Sequence, residues 1–409
     1  MTSHTMVKVI GSWALAGGLS ISLAAAQNGN SPGVTDNEIR IGNIMPYSGP
    51  ASAYSSIGRV QEAYFRKIND EGGISGRKLK FISYDDGYRP PKAVEQARKL
   101  VENDDVLLVF SPLGTPSNTA IQKYLNSKKV PQLFVATGTA KFGDPKSFPW
   151  TMGWQPSFHS EGGIYAKYVL NRYPDGKIAV LWQGDDFGRD TIKGLREGLG
   201  DRANMIVADK SYEINEPTID SHVVALRQSG ANIFVSITAP KAAAQAIKKV
   251  AEIGWKPIYI QGSGSVSVAT VLKPAGLDNS KDLISTAYLK DPTDPTWKDD
   301  PGIRAWGAFM DKYFPEGDKA NVLHVYGYAL AETLVQVLRQ CGDELSRENV
   351  MKQAASLKDF RSEMMLPGIT ANTSQSDFFP VQQMQIMQFD GSTWRLFGDV
   401  VDLSTERRQ

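Results

Sequence analysis

The chain has 409 residues, 41% hydrophobic and 22% charged, with a net charge of +1. That length is too great for one ordinary core and fits two domains, and the even charge balance offers neither a basic footprint for nucleic acid nor an acidic tail. A single cysteine, Cys341, excludes an intramolecular disulfide and a cysteine-based zinc site.

In chain order, Lys8 precedes an apolar run over residues 9–26 that ends in Ala-Ala-Ala before Gln27. A positive start, a short apolar core and small residues at the end describe a cleavable signal peptide over 1–26, so the mature chain is expected in the periplasm. A membrane anchor competes with that reading. The run is marginal in length for a span, and Gly11, Gly17, Gly18, Ser20 and Ser22 weaken it. No cysteine follows it to carry a lipid.

Residues 39–44 predict a first strand. Val60, Ala63, Tyr64 and Ile68 then share one helical face, and the Gly-rich stretch 71–76 stops that helix. A second strand over 79–84 ends at Asp85-Asp86-Gly87, and Val94, Ala97 and Val101 mark the next helix. Two apolar runs, 106–110 and 132–135, read as strands buried on both faces. Ile121, Leu125 and Val130 suggest a helix between them. Each run stops at small polar residues, 111–115 and 136–139, so both loops leave the carboxyl edge of a parallel sheet, where ligands bind in open α/β folds. Thr115 as N-cap with Pro116 at the first helical position would present free N–H groups beside Gly114 and Thr137, which suits a carboxylate or a phosphate. Ordinary βα turn chemistry explains the same residues.

A second alternation follows the segment 150–157. Strands are expected at 178–182, 205–208, 233–237 and 258–260, with helices at 160–172, 189–199, 218–228 and 241–253. The C-terminal third opens no third unit. It predicts a strand at 283–287, a break at Asp291-Pro-Thr-Asp-Pro, helices at 305–313 and 325–338, and a hairpin turning at Asp390-Gly391. The fold class is therefore α/β, with two doubly wound Rossmann-like lobes.

Motifs for chemistry are absent from the sequence. There is no GxxxxGK[ST], HExxH, GxSxG or paired-cysteine motif, so neither an enzyme nor a cofactor nor a metal is expected. The acidic pairs Asp85-Asp86 and Asp185-Asp186 read as turn and helix-cap residues rather than catalytic carboxylates. Tyr54, Tyr88, Trp154 and Phe187 follow predicted strands, where they fill either core or a pocket.

The order and spacing of Ile39-Arg-Ile-Gly-Asn-Ile-Met-Pro-Tyr-Ser-Gly-Pro, Ile68-Asn-Asp-Glu-Gly-Gly-Ile-Ser-Gly-Arg, Tyr84-Asp-Asp-Gly and Gly184-Asp-Asp-Phe-Gly carry a resemblance. The chain resembles the periplasmic solute-binding proteins of branched-chain amino acid type ABC transporters. The resemblance implies two lobes, 36–154 plus 291–366 and 155–290 plus 367–405, with a ligand cleft between them. It also implies three hinge crossings, at 153–156, 288–292 and 367–371. Closure around ligand would be a hinge motion read by transporter permease subunits. The implied ligand residues are Tyr54, Gly114, Thr115, Ala136, Thr137, Gly138 and Thr139 in the first lobe and Phe187, Thr238 and Ser263 in the second.

Two departures from the family pattern matter. The family's first-lobe disulfide positions are here Tyr88 and Gly114, which brings Tyr88 beside the carboxylate loop. Ser263 stands near the acid that pairs the ammonium of an amino acid, and an unpaired buried ammonium is costly. The expected ligand is thus a small organic acid with an aromatic or apolar body, in a cleft with no buried acid, bound by a monomer. The alternatives are a branched-chain or other amino acid, a ligand sensor of the same fold, and a secreted hydrolase.

Overall fold

The computed structural model describes residues 1–2 and 31–402. The expected signal peptide lies outside the described residues, apart from the first two. Eleven strands and eleven helices follow one another as β1 (Glu38–Met45), α1 (Ser55–Asp70), β2 (Lys78–Asp85), α2 (Pro90–Glu102), β3 (Leu108–Phe110), α3 (Thr115–Ser127), β4 (Gln132–Leu133), α4 (Phe158–Arg172), β5 (Ile178–Gln183), α5 (Asp186–Leu199), β6 (Ile206–Tyr212), α6 (Asp220–Gln228), β7 (Ile233–Ile237), α7 (Pro240–Glu252), β8 (Ile258–Gln261), α8 (Lys273–Ala275), β9 (Ile284–Ala287), α9 (Pro301–Tyr313), α10 (Val322–Cys341), α11 (Arg347–Ala354), β10 (Gln383–Phe389) and β11 (Trp394–Asp402).

The strands form two sheets, one ordered β2-β1-β3-β4 and the other β11-β10-β9-β8-β7-β5-β6. All pairings in the first are parallel. The second is parallel from β6 to β9 and antiparallel at β10 and β11. Each sheet with its helices is a lobe. In both, the strand order reverses beside the first strand of the lobe, β1 or β5, and ligands of open α/β sheets gather at that switch point.

The late elements divide between the lobes. Strand β9 and the hairpin β10–β11 extend the second sheet. Trp306, Phe309 and Met310 of α9 and Val325, Leu330 and Leu334 of α10 are buried in the core of the first lobe, with Ile41, Phe65 and Phe110. The chain therefore passes between lobes more than once. The expected third crossing at 367–371 is displaced: Ile369, Ala371, Phe378 and Val381 still pack in the first core, and Val381 N–H donates to Trp154 O (3.0 Å). The passage into the second sheet comes just before Gln383. Helix α11 has no counterpart in the sequence reading. Its eight residues carry few apolar side chains, and Ser346 caps it by accepting from Asn349 N.

Helix α10 also carries a titratable feature. Burial holds the Glu332 carboxyl up at about 7, helped by the nearby Glu363 charge and opposed by a hydrogen bond from Ser362 Oγ. The folded state therefore keeps a proton that the unfolded chain releases above the ordinary glutamate range. Stability is full below that range and falls as pH rises through about 7, by at most roughly 3 kcal/mol for this group. Urea midpoints of the protein and of Glu332→Gln measured at pH 5 and pH 8 should differ in slope, the variant losing less on the alkaline side; parallel profiles would contradict this assignment.

Candidate functional site

The corner from β3 into α3 brings the first polar groups to the cleft. Gly114, with φ of 94°, is the N-cap of α3, and Thr115 is its first helical residue. This corrects the expectation that Thr115 caps the helix. The positive φ favours glycine, and the corner is closed by Tyr88, because a Cβ on Gly114 would sit 2.4 Å from the Tyr88 ring. Tyr88 thus lies against the loop, as its position in the sequence suggested.

Relieved of capping, the Thr115 hydroxyl joins a cluster. Thr115 Oγ1 lies 2.5 Å from Thr137 Oγ1 and 2.9 Å from Thr139 Oγ1. Three hydroxyls own three protons, and these two contacts use two of them. The third contact, Thr137 Oγ1 to Thr139 Oγ1, is long at 3.5 Å, so the remaining proton is the one most readily given to a ligand acceptor. The Thr115 N–H adds a second donor, since no acceptor faces it among the described residues.

Three other expected main-chain donors are occupied. Ala136 N–H donates to Pro112 O (3.0 Å), Thr137 N–H to Val135 O (2.9 Å) and Gly114 N–H to Ala136 O (3.3 Å). Gly138 and Thr139 do not line the inter-lobe cavity, so its anion-holding capacity rests on hydroxyls and the Thr115 amide.

One inter-lobe cavity is lined by Tyr54, Tyr88, Gly114, Thr115, Ala136 and Thr137 from the first lobe and by Gln183, Phe187, Ala239, Ser263 and Thr286 from the second. Three of the expected residues do not line it. Gly138 accepts from Phe158 N–H through its carbonyl (2.8 Å), Thr139 supports Thr115 from behind, and Thr238 is buried beneath the wall, with its hydroxyl 2.9 Å from Ser236 Oγ and its carbonyl accepting from Ser265 Oγ (2.6 Å). Trp154 is core, with Nε1 donating to Thr333 Oγ1 (3.0 Å) and its ring edge-on to Tyr326. His159 pairs with Glu197 (2.6 Å) and takes no part in the lining.

The expectation of a cleft free of buried acid is corrected. Glu161, in the first turn of α4, is buried behind Ser263, and its carboxylate accepts from Ser263 N–H (2.7 Å) and Tyr165 Oη (2.5 Å). Burial raises its proton affinity. Two further acids, Asp291 and Asp294, line the cavity itself. Periodicity shows a strand's faces but not which distant loops converge, so Glu161, the second residue of the helix expected at 160–172, gave no signal. The Asp291-Pro-Thr-Asp-Pro break did give one, as two acids on a proline-rich crossing beside Trp297.

The acidic pairs have the structural roles expected. Asp185 caps α5, accepting from Phe187 N–H and Gly188 N–H. Asp86 accepts from Tyr88 N–H (2.9 Å) and Ser117 Oγ (2.5 Å).

The lobes are closed on each other. Tyr54 Oη donates to Gly264 O (3.2 Å) and Gln183 Nε2 to Tyr88 Oη (3.4 Å) across the cleft. At the rim, Lys141 pairs with Asp186 (2.6 Å) and Ala140 N–H donates to Asp190 (2.7 Å). These contacts exist only when the lobes meet, so they bias the closed form by the difference they make. Among the described residues no group of three or more His, Cys, Asp or Glu is placed to hold a metal ion, and no helix is long and apolar enough to cross a membrane.

Comparison with known proteins gives three kinds of match. The sequence model for the periplasmic binding protein family matches residues 38–393. A Leu/Ile/Val-binding protein homolog from Brucella abortus is 22% identical over 353 residues, covering 81% of this chain and 89% of that protein. Among solved structures, a branched chain amino acid ABC transporter protein from Thermus thermophilus with bound valine superposes with a TM-score of 0.83 at 16% identity, covering 92% of this chain and 99% of that one. A fatty acid ABC transporter substrate-binding protein from Thermomonospora curvata gives 0.77 at 19% identity, covering 93% and 96%.

Proposed function

Because the chain belongs to the periplasmic binding protein family, we propose that it is the solute-binding component of an ABC importer and captures a small organic acid with an aromatic or apolar body. The observation that carries this reading is the inter-lobe cavity, whose aromatic wall ends on the Thr115–Thr137 hydroxyl pair. No Lys, Arg or His lines it, so charge is met by hydroxyls, one amide and the start of α3. That provision suits a single carboxylate, since each hydrogen bond to an ionised group is worth roughly 1.5–3 kcal/mol, and a dianion would demand more. The apolar wall supplies the remaining affinity through burial. No step of catalysis is needed. Lobe closure on the ligand presents the loaded form to permease subunits.

A second reading is an α-amino acid. Glu161 favours it, because a carboxylate bonded to Ser263 N–H stands one residue's depth from the cavity wall. Calorimetry with cinnamate, benzoate and leucine separates the two. The expected result is binding of an aromatic acid at least tenfold tighter than leucine. Tight leucine binding with none by either aromatic acid would refute the organic-acid reading.

A further inference from the structure

The cavity does not end at the hydroxyl cluster and Ser263. Its wall follows the chain from Thr286 through Leu289 to Asp291. It is lined further by Trp297 of the crossing, Val322 and Leu323 at the start of α10, and Met387, Trp394 and Leu396 of the hairpin. These apolar side chains come from both lobes and form a second arm of the cavity.

The arm contains two acids in different states. Asp294 is neutralised, with Oδ1 2.9 Å from Arg395 Nη1 and accepting from Thr296 N–H (3.0 Å). Asp291 is not. Both of its donors, Thr293 N–H (2.8 Å) and Thr293 Oγ1 (2.7 Å), fall on a single oxygen, Oδ1. The other oxygen has no hydrogen bond and no cation partner among the described residues. Asp291 is half-buried and lines the cavity, and its unbonded oxygen is not sealed off. Burial with the neighbouring Asp294 charge raises its proton affinity. A ligand donor that reaches this oxygen makes a hydrogen bond to a carboxylate that the chain itself leaves unmade.

We propose that Asp291 is a second recognition point, selecting acids that carry a hydroxyl or ammonium donor at the end opposite the carboxylate. This rests on the organic-acid reading above and narrows it. The carboxylate meets the threonines, an apolar middle lies along Leu289, Trp297 and Met387, and the distal donor meets Asp291. An acid without that donor fills the arm but leaves Asp291 unmatched.

Matched pairs test this: cinnamate against 4-hydroxycinnamate, and octanoate against 8-hydroxyoctanoate, by calorimetry on the full chain. In at least one pair the hydroxylated acid should bind tenfold or more tightly than its partner. In Asp291→Asn that preference should fall to threefold or less, while the affinity for the unsubstituted acid stays within threefold of the parent. Circular dichroism and the melting temperature report whether the variant folds, and Asp299→Asn, at an exposed acid of the same crossing outside the cavity lining, serves as a control that leaves the preference in place. Equal affinities in both pairs, or a preference unmoved in Asp291→Asn, would overturn the role of Asp291 while leaving the organic-acid reading standing. Binding of leucine with none of the four acids would overturn both.

Discussion

Replacing Thr115 and Thr137 together by valine lowers the affinity for whichever aromatic acid binds the parent protein by about tenfold to a hundredfold. Valine keeps the shape of each side chain and removes the one hydroxyl proton that the cluster has for a ligand, while the Thr115 N–H stays. Losing one hydrogen bond to a charged group costs roughly 1.5–3 kcal/mol, and about 1.4 kcal/mol is tenfold in affinity. Stability should fall by roughly 1–3 kcal/mol, because Thr139 Oγ1 stays buried and loses Thr115 Oγ1 as its partner. Calorimetry gives the affinity and thermal melting the control. A variant that binds within threefold of the parent would show that the ligand's charge lies elsewhere.

Gly194→Ala destabilises the protein by about 3 kcal/mol, against the sign that helix propensity alone gives. In a helix interior, Ala is favoured over Gly by roughly 1 kcal/mol. Here α4 and α5 pack with no room between them. A Cβ on Gly194 would stand 1.9 Å from His159 O, and one on Gly162, from the other helix, 2.2 Å from Thr191 O. Backbone cannot swing aside as a flexible side chain does, so the helices must separate, and overpacking of this kind costs 1–3 kcal/mol or more. Gly307→Ala in α9 meets nothing within 4 Å and should stabilise by roughly 0.5–1 kcal/mol. Denaturant midpoints of the two variants moving in opposite directions is the expected result. A stabilised Gly194→Ala would mean that α4 and α5 have slack.

These predictions mark what was legible in the chain. Local pattern located β7 to the residue, because it is a continuous apolar run, and most other strands to within two residues, but it ended β6 at 208 where the strand, with polar exposed residues, runs on to Tyr212. It set Tyr54, Tyr88, Phe187 and Trp154 at strand or loop ends, and the first three line the cavity while Trp154 is core; Ser263 came from the family resemblance and also lines it. It erred by one residue at Thr115, since Gly114 and Thr115 both satisfy cap preferences and only the backbone torsion separates them. Asp291, Trp297, Met387 and Trp394 were out of reach as a group. They lie on a crossing and a hairpin that meet only after the second sheet has taken up β10 and β11. Glu161 was hidden by its own surroundings, a helical segment in which a single acid looks solvent-facing.

The hairpin has one more consequence, for the order in which the protein becomes functional. Strands β10 and β11 are synthesised after β1 to β9, yet Met387, Trp394 and Leu396 furnish the distal wall of the cavity, and Trp394 Nε1 fastens that wall to Val266 O (2.9 Å). The early sheet is complete in sequence some 250 residues before that wall arrives, as the positions of β4 and β10 require. Ligand therefore has no finished compartment to enter while the chain is still emerging, and a premature stop between residues 382 and 394 yields a protein with its first-lobe core whole and its cargo space open at one end.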